Sequence, residues 1–286
     1  MEAALRDTGS VEVNGFPIHY NRYGTGSTVV LLIPGALGTA VTDFRQQLEG
    51  ADAFNLKRYT FVVIELAGWG RSRPPKRPYG LSVYDNDVTC AAKLMEHLNY
   101  RNYSVIGWSD GAKVAILLGI FQPSRVNAIV ASGIFTFCTQ TNILPTIKTQ
   151  NVDHWDIGLR ANYVAVYGEE SLQSLWDDHI NFCKDLHAKV LAHVENLKPE
   201  ERTKDVRVAI HEQLYHGQGK IRCPVLIVHG DKDPLIGLDQ ATYCKASIAN
   251  CQLKRFPEAS HNVHQSHAKE FRDAVVKFLD ESSDFF

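Results

Sequence analysis

The sequence predicts an α/β fold, a mostly parallel central sheet flanked by helices, with one helical insertion. Three observations carry this. Short β-rich apolar runs, Val29–Ile33, Thr60–Ile64 and Ser104–Ile106, are continuous rather than alternating, as befits strands covered on both faces. Each leads into a glycine-containing turn and then helix-forming sequence. Between two further runs, Ala128–Ala131 and Pro224–Val228, the pattern breaks and residues 139–219 carry helical periodicity.

The elements follow in order. Val11 to Tyr20 alternates apolar and polar residues around Asn14-Gly15, a pair that tolerates positive φ twice, and this predicts a β-hairpin. The sheet continues through the five runs above and ends at Gln252–Phe256. In the insertion, Leu172, Leu175, Trp176 and His179 recur at helical spacing, and so do Leu186, Val190, His193, Val194 and Leu197. These read as separate amphipathic helices that pack on the sheet, cover a site as a lid, or do both. A last helix, His267 to Leu279, sets Phe271, Val275, Phe278 and Leu279 on one side. The expected division is a core in two parts, 1–138 and 220–286, with a helical cap, 139–219.

A chain of 286 residues, 44% of them hydrophobic, buries a large core. Charged residues make up 22% and the net charge is −2, so no one-sign field exists to attract nucleic acid or an anionic membrane. A small neutral or zwitterionic molecule is the expected partner, and a monomer the simplest assembly. No window approaches the apolar length of a membrane span. The segment Met1 to Asp7 carries acids and lacks the apolar core of a signal peptide, so a cytoplasmic location is expected. The six cysteines lie scattered without a C-x-x-C pair, which points to reduced, buried thiols; the sequon Asn102-Tyr103-Ser104 reads as a strand start.

The strongest chemical signal is Gly107-Trp108-Ser109-Asp110-Gly111, placed directly after one predicted strand and before Ala112-Lys113-Val114-Ala115-Ile116-Leu117. This is the nucleophile-elbow pattern G-x-S-x-G in strand-turn-helix context. The turn is so tight that side chains at the two glycines would strike backbone, and the helix start beneath the serine stabilises developing negative charge. A serine nucleophile needs a base, and the base needs an acid to fix its tautomer. After the strand Pro224–Val228 come Asp231 and Asp233 in a loop; Asp233 is the preferred acid, with Asp231 closing the turn. Of the 12 histidines, His261 is preferred as base because it lies between the last strand and the last helix, while His264 and His267 fall toward that helix. Backbone N–H donors to an oxyanion are expected from Asp110 and from the loop Pro34-Gly35-Ala36-Leu37-Gly38, with Ala36 ahead of Leu37.

Two glycine-rich segments imitate nucleotide motifs. Gly24-Thr25-Gly26 precedes its strand and has Val29 where a dinucleotide fingerprint has its third glycine, and Gly68-Trp69-Gly70-Arg71-Ser72 lacks the lysine of a P-loop. No cofactor and no metal are therefore expected.

With elbow, acid and histidine in place, the chain from Val11 onward resembles the α/β-hydrolase superfamily. Within it, the chain is most similar to the valacyclovir hydrolase family (biphenyl hydrolase-like proteins), esterases of amino-acid esters. The resemblance rests on Gly107–Gly111, on Ile227 to Leu235, on Pro257-Glu258 with His261-Asn262-Val263-His264, and on Pro34-Gly35 with Leu37-Gly38. It implies a triad of Ser109, Asp233 and His261. It also implies a second role for Asp110, binding the α-ammonium group of a small amino-acid ester. The chain departs from the family at Glu65-Leu66-Ala67 and across the insertion. The family's mitochondrial presequence is not expected here, which favours the cytoplasm over a mitochondrial address without closing the latter. Carbon–carbon bond, thioester or lactone hydrolysis by the same triad is the alternative chemistry, and a non-catalytic ligand-binding protein the alternative class.

Overall fold

The computed structural model describes residues 5–203 and 206–282. Met1 to Ala4 of the segment read for targeting, and Lys204 and Asp205 within the insertion, lie outside the described residues. The strands are β1 (Leu5–Val13), β2 (Phe16–Tyr23), β3 (Thr28–Ile33), β4 (Tyr59–Ile64), β5 (Tyr103–Trp108), β6 (Val126–Ser132), β7 (Phe137–Cys138), β8 (Val208–Ala209), β9 (Val225–Gly230) and β10 (Cys251–Phe256). Eight of them form one sheet in the order β1-β2-β4-β3-β5-β6-β9-β10. β1 and β2 pair antiparallel, as do β2 and β4, while every pair from β4 to β10 is parallel. The Asn14-Gly15 turn has φ of 52° and 79°, so both residues take the left-handed conformation that a tight right-twisted hairpin requires. β7 and β8 form a small separate pair that no sequence signal announced.

The parallel strands are apolar without alternation because both faces are covered. Leu31, Ile33, Val62, Ile64 and Val105 pack on one side, under the helices Val83–His97 and Asp110–Phe121. Val30, Leu32, Phe61, Val63, Ile106 and Val130 pack on the other, under Phe271, Val275, Phe278 and Leu279 of the helix Ala268–Ser282. The two sets interleave along each strand, as the period of 2 demands. The helix Asp110–Phe121 is buried along its whole length except at Phe121, so its N-terminus has a fixed position below the end of β5.

Between β6 and β9 the chain forms the helices Ile157–Tyr167 and Glu169–Glu195, the latter of 27 residues. The two apolar stripes seen in sequence therefore lie on one continuous helix rather than two. Leu172, His179, Phe182, Leu186, Val190 and Val194 face inward, whereas His193 is exposed and Leu197 lies beyond the helix end. Among the described residues, no helix is long and apolar enough to cross a membrane.

Two tyrosines tie the insertion to the core. Tyr163 donates its hydroxyl to Asp43 Oδ1 at 3.1 Å, and Tyr167 donates to the carbonyl of Leu37 at 2.7 Å while accepting from the N–H of Gly70. Asp43 is buried and also accepts from the N–H of Gly35 at 2.8 Å and from Thr42 at 2.7 Å. Burial pushes its carboxyl up to about 6, against which these donors work. A carboxyl that holds its proton more tightly folded than unfolded supports the fold below its unfolded value, near 4, and that support is lost as pH rises through about 6. Asp43→Asn cannot ionise, so its unfolding free energy relative to wild type is expected to rise by on the order of 2 kcal/mol from pH 4 to pH 7 and then level off. Urea titrations across that range test this, and a pH-independent difference would show that Asp43 titrates alike in both states.

Candidate active site

The elbow is built by what is missing at its glycines. A Cβ at Gly107 would lie 2.2 Å from the carbonyl oxygen of Gly111, and one at Gly111 would lie 2.0 Å from that of Ile33. With these spaces open, the chain turns from β5 into its helix within one residue. Ser109 takes that turn at φ 55° and ψ −115°, an uncommon conformation for a residue with a side chain. Its N–H donates to the carbonyl of Ser132 on β6 at 2.9 Å, which holds the strained residue against the sheet.

His261 and Asp233 come from loops after β10 and β9. His261 Nδ1 and Asp233 Oδ2 are 2.7 Å apart, and the Asp233 side chain is only 1% exposed. The other carboxylate oxygen accepts from the backbone N–H groups of Leu235 and Ile236, at 2.8 and 3.0 Å. Burial raises the Asp233 pKa, but the hydrogen bond and charge of His261 outweigh it with the help of those N–H groups, and the carboxyl stays below its ordinary value. With an ionised acceptor on Nδ1, the imidazole carries its proton there and leaves Nε2 free to accept one. Asp231 is elsewhere: it is exposed and paired with Arg255 at 2.8 Å.

Trp108 supports the histidine loop. Its indole N–H donates to the carbonyl of His261 at 3.1 Å, and its ring lies between His261 and His264, at centroid distances of 5.4 and 4.8 Å. Gly133, at φ 62°, leaves room for the His261 ring, since a Cβ there would lie 2.7 Å from its Cε1. His264 is buried and donates from Nε2 to the carbonyl of Asp43 at 2.9 Å; burial lowers it to about 3, so it is neutral and structural. His267 stays near the surface beside Ser266.

Ser109, His261, Ala36 and Asp110 line one enclosed cavity of about 80 Å³. The loop before it folds back on itself, with the N–H of Gly38 on the carbonyl of Gly35 and Leu37 at φ 59°. Ala36 borders the cavity, whereas the Leu37 side chain is buried in the core and its carbonyl is held by Tyr167. The insertion supplies the roof through Ile143, Trp176, His179, Phe182 and Leu186. A larger cleft, about 1060 Å³, opens between the insertion and the loop from Gly68 to Lys76, but neither Ser109 nor His261 borders it.

Asp110, to which the resemblance gives the role of ammonium receptor, has its carboxylate buried and bonded to the ammonium of Lys113, one helical turn on. Tyr84 joins the pair, accepting from Lys113 at 2.9 Å and donating to Asp110 Oδ1 at 3.3 Å, and His179 Nδ1 stands 3.9 Å from Asp110 Oδ2. Burial raises the Asp110 pKa, but Lys113, His179 and Arg77 together hold the carboxyl well below the usual range. Burial lowers His179 to about 4, leaving it neutral. The sequence reading missed Lys113, although its spacing of three residues from Asp110 on one helix was a usable signal. Tyr84 and His179 carried no comparable one.

The model of the alpha/beta hydrolase fold family matches residues 28–268. The chain is 32% identical to the mouse (Mus musculus) protein named serine hydrolase BPHL and 30% identical to its human (Homo sapiens) counterpart, covering 95% of this chain and 86% of each relative. It is 27% identical to a 2-hydroxy-6-oxononadienedioate/2-hydroxy-6-oxononatrienedioate hydrolase of Cupriavidus pinatubonensis, over 92% of this chain and 91% of that one. Among solved structures, the enol-lactonase from Burkholderia xenovorans LB400 superposes with a TM-score of 0.70 at 18% identity, over 95% of this chain and 99% of that one. The chain belongs to the α/β-hydrolase fold family, and within it is a serine hydrolase similar to BPHL.

Proposed function

We propose that the chain hydrolyses carboxylic esters through an acyl-enzyme intermediate, with Ser109 as nucleophile, His261 as general base and acid, and Asp233 as the orienting acid. The observation that carries this is the 2.7 Å contact between His261 and a buried, twice-capped Asp233, on the wall of the cavity that Ser109 also lines. In the first half-reaction Ser109 Oγ attacks the acyl carbon as His261 Nε2 takes its proton. The tetrahedral oxyanion is met by the backbone N–H groups of Ala36 and Asp110, at the N-terminus of the buried helix. The intermediate collapses as His261 returns the proton to the leaving alcohol. Water, deprotonated by the same imidazole, then attacks the acyl-enzyme, and the acid leaves with Ser109 regenerated.

The alternative of cleaving a carbon–carbon bond draws on the relatives named for oxo-dienedioates. Those molecules carry two carboxylates, and the cavity's ammonium, Lys113, is already neutralised by Asp110. An uncharged ester suits such a site better.

Ser109→Ala is expected to lower turnover of a p-nitrophenyl ester by about 10⁴-fold or more with the fold intact, since the three residues act as a unit. Fluorophosphonate labelling should reach Ser109 in wild type and vanish in the variant; a loss of only about tenfold in turnover would remove Ser109 from the mechanism. The two aspartates separate in the same assay. Asp233→Asn is expected to lose about 10⁴ in kcat because the wrong imidazole tautomer is then favoured, while Asp231→Asn stays within about threefold of wild type, as suits an exposed ion pair. Comparable losses at the two positions would remove Asp233 from its role.

A further inference from the structure

A cluster of polar side chains around Asp110 lines the same cavity as the nucleophile. Asp110, Lys113, Tyr84 and His179 are all buried and all border the cavity. Their charges sum to zero at neutral pH: Lys113 balances Asp110, Tyr84 is unionised and His179 is neutral. The nearest further cation, Arg77, is closed off by Asp87, at 2.5 and 3.0 Å. Lys113 follows Asp110 by three residues on a buried helix, which sets its ammonium within reach of the carboxylate.

An ester with an α-ammonium group would bring a second cation to a carboxylate whose charge is already matched. Either the substrate displaces Lys113, leaving an unpaired ammonium in a buried place, or it binds beside a like charge. An uncharged acyl group meets neither obstacle. Around it stand Phe135, Ile143, Phe182, Leu186, Leu235 and Ile236. The cavity is small, about 80 Å³, which suits a compact acyl group.

Building on the ester-hydrolase reading above, we propose that Lys113 is a specificity-determining residue. It serves as a built-in ammonium that occupies the receptor formed by Asp110, so that the site selects esters of small, uncharged carboxylic acids and rejects α-amino esters.

The test compares kcat/KM at pH 6.5 for the ethyl ester of L-valine and that of 2,3-dimethylbutanoic acid, in which a methyl group replaces the ammonium at equal shape. Wild type is expected to prefer the dimethylbutanoate by about tenfold or more, the worth of one charge-assisted hydrogen bond that the valine ester cannot make without breaking another. Lys113→Met frees Asp110 and should move the ratio toward the valine ester by about tenfold or more, and Asp110→Asn/Lys113→Met should move it back. Preference of wild type for the valine ester overturns the assignment, and so does an unchanged ratio in a folded Lys113→Met. If that variant does not fold, the wild-type ratio decides alone, because the proposal requires its direction. Fluorophosphonate labelling separates the two levels. An enzyme labelled at Ser109 that favours the valine ester defeats the role of Lys113 only, whereas an enzyme that neither labels nor turns over any ester defeats the hydrolase reading and this proposal with it.

Discussion

The carboxyl edge of the sheet depends on the absence of two side chains. Gly107 and Gly111 let the helix Asp110–Phe121 start directly under β5 and against the end of β3, with the carbonyl of Ile33 lying where a Cβ of residue 111 would be. That closeness forces Ser109 into its positive φ, turns its side chain out over the edge and brings the loop Pro34–Gly38 alongside, so that a Cβ at Gly35 would lie 3.2 Å from that of Ser109. The Asp233 and His261 loops leave from neighbouring strands of the same edge. One steric condition therefore gathers groups that are more than 200 residues apart in the chain.

Much of this was legible in sequence for physical reasons. Continuous apolar runs specify strands covered on both faces, Asn14-Gly15 specifies its turn, and G-x-S-x-G between a strand and a helix leaves few other geometries. The preference for Asp233 over Asp231 rested on the turn-closing part expected of Asp231; the structure brings Asp233 to His261 and puts the Asp231 carboxylate on Arg255 at the surface instead. What stayed hidden was long-range. The place of β4 between β2 and β3 is a property of packing, which no local pattern records. The two apolar stripes of the insertion gave no sign of whether a break separated them, and helix Glu169–Glu195 runs through without one. Tyr163 and Asp43 meet across 120 residues.

Asp110 shows how the meaning of one residue depends on its neighbours. Asp110 sits where the family pattern leads one to look, buried beside the nucleophile. On the next turn of its own helix stands Lys113, whose ammonium pairs with its carboxylate. A carboxylate in a low-dielectric site must find a partner, and a lysine that the helix holds in reach is met before any diffusing ligand. Electrostatic function belongs to the cluster, not to the residue.

The two tyrosines of the insertion have a mechanical consequence. Tyr163 and Tyr167 both stand on the helix Ile157–Tyr167, and both grip the short stretch between Gly35 and Asp43 that borders the cavity. The roof and the floor of the cavity are thus fastened by the same two bolts. The position of the helix Ile157–Tyr167 and the course of the loop that carries Ala36 are thereby set together, so that one pair of phenol groups ties the insertion to the backbone beside the nucleophile.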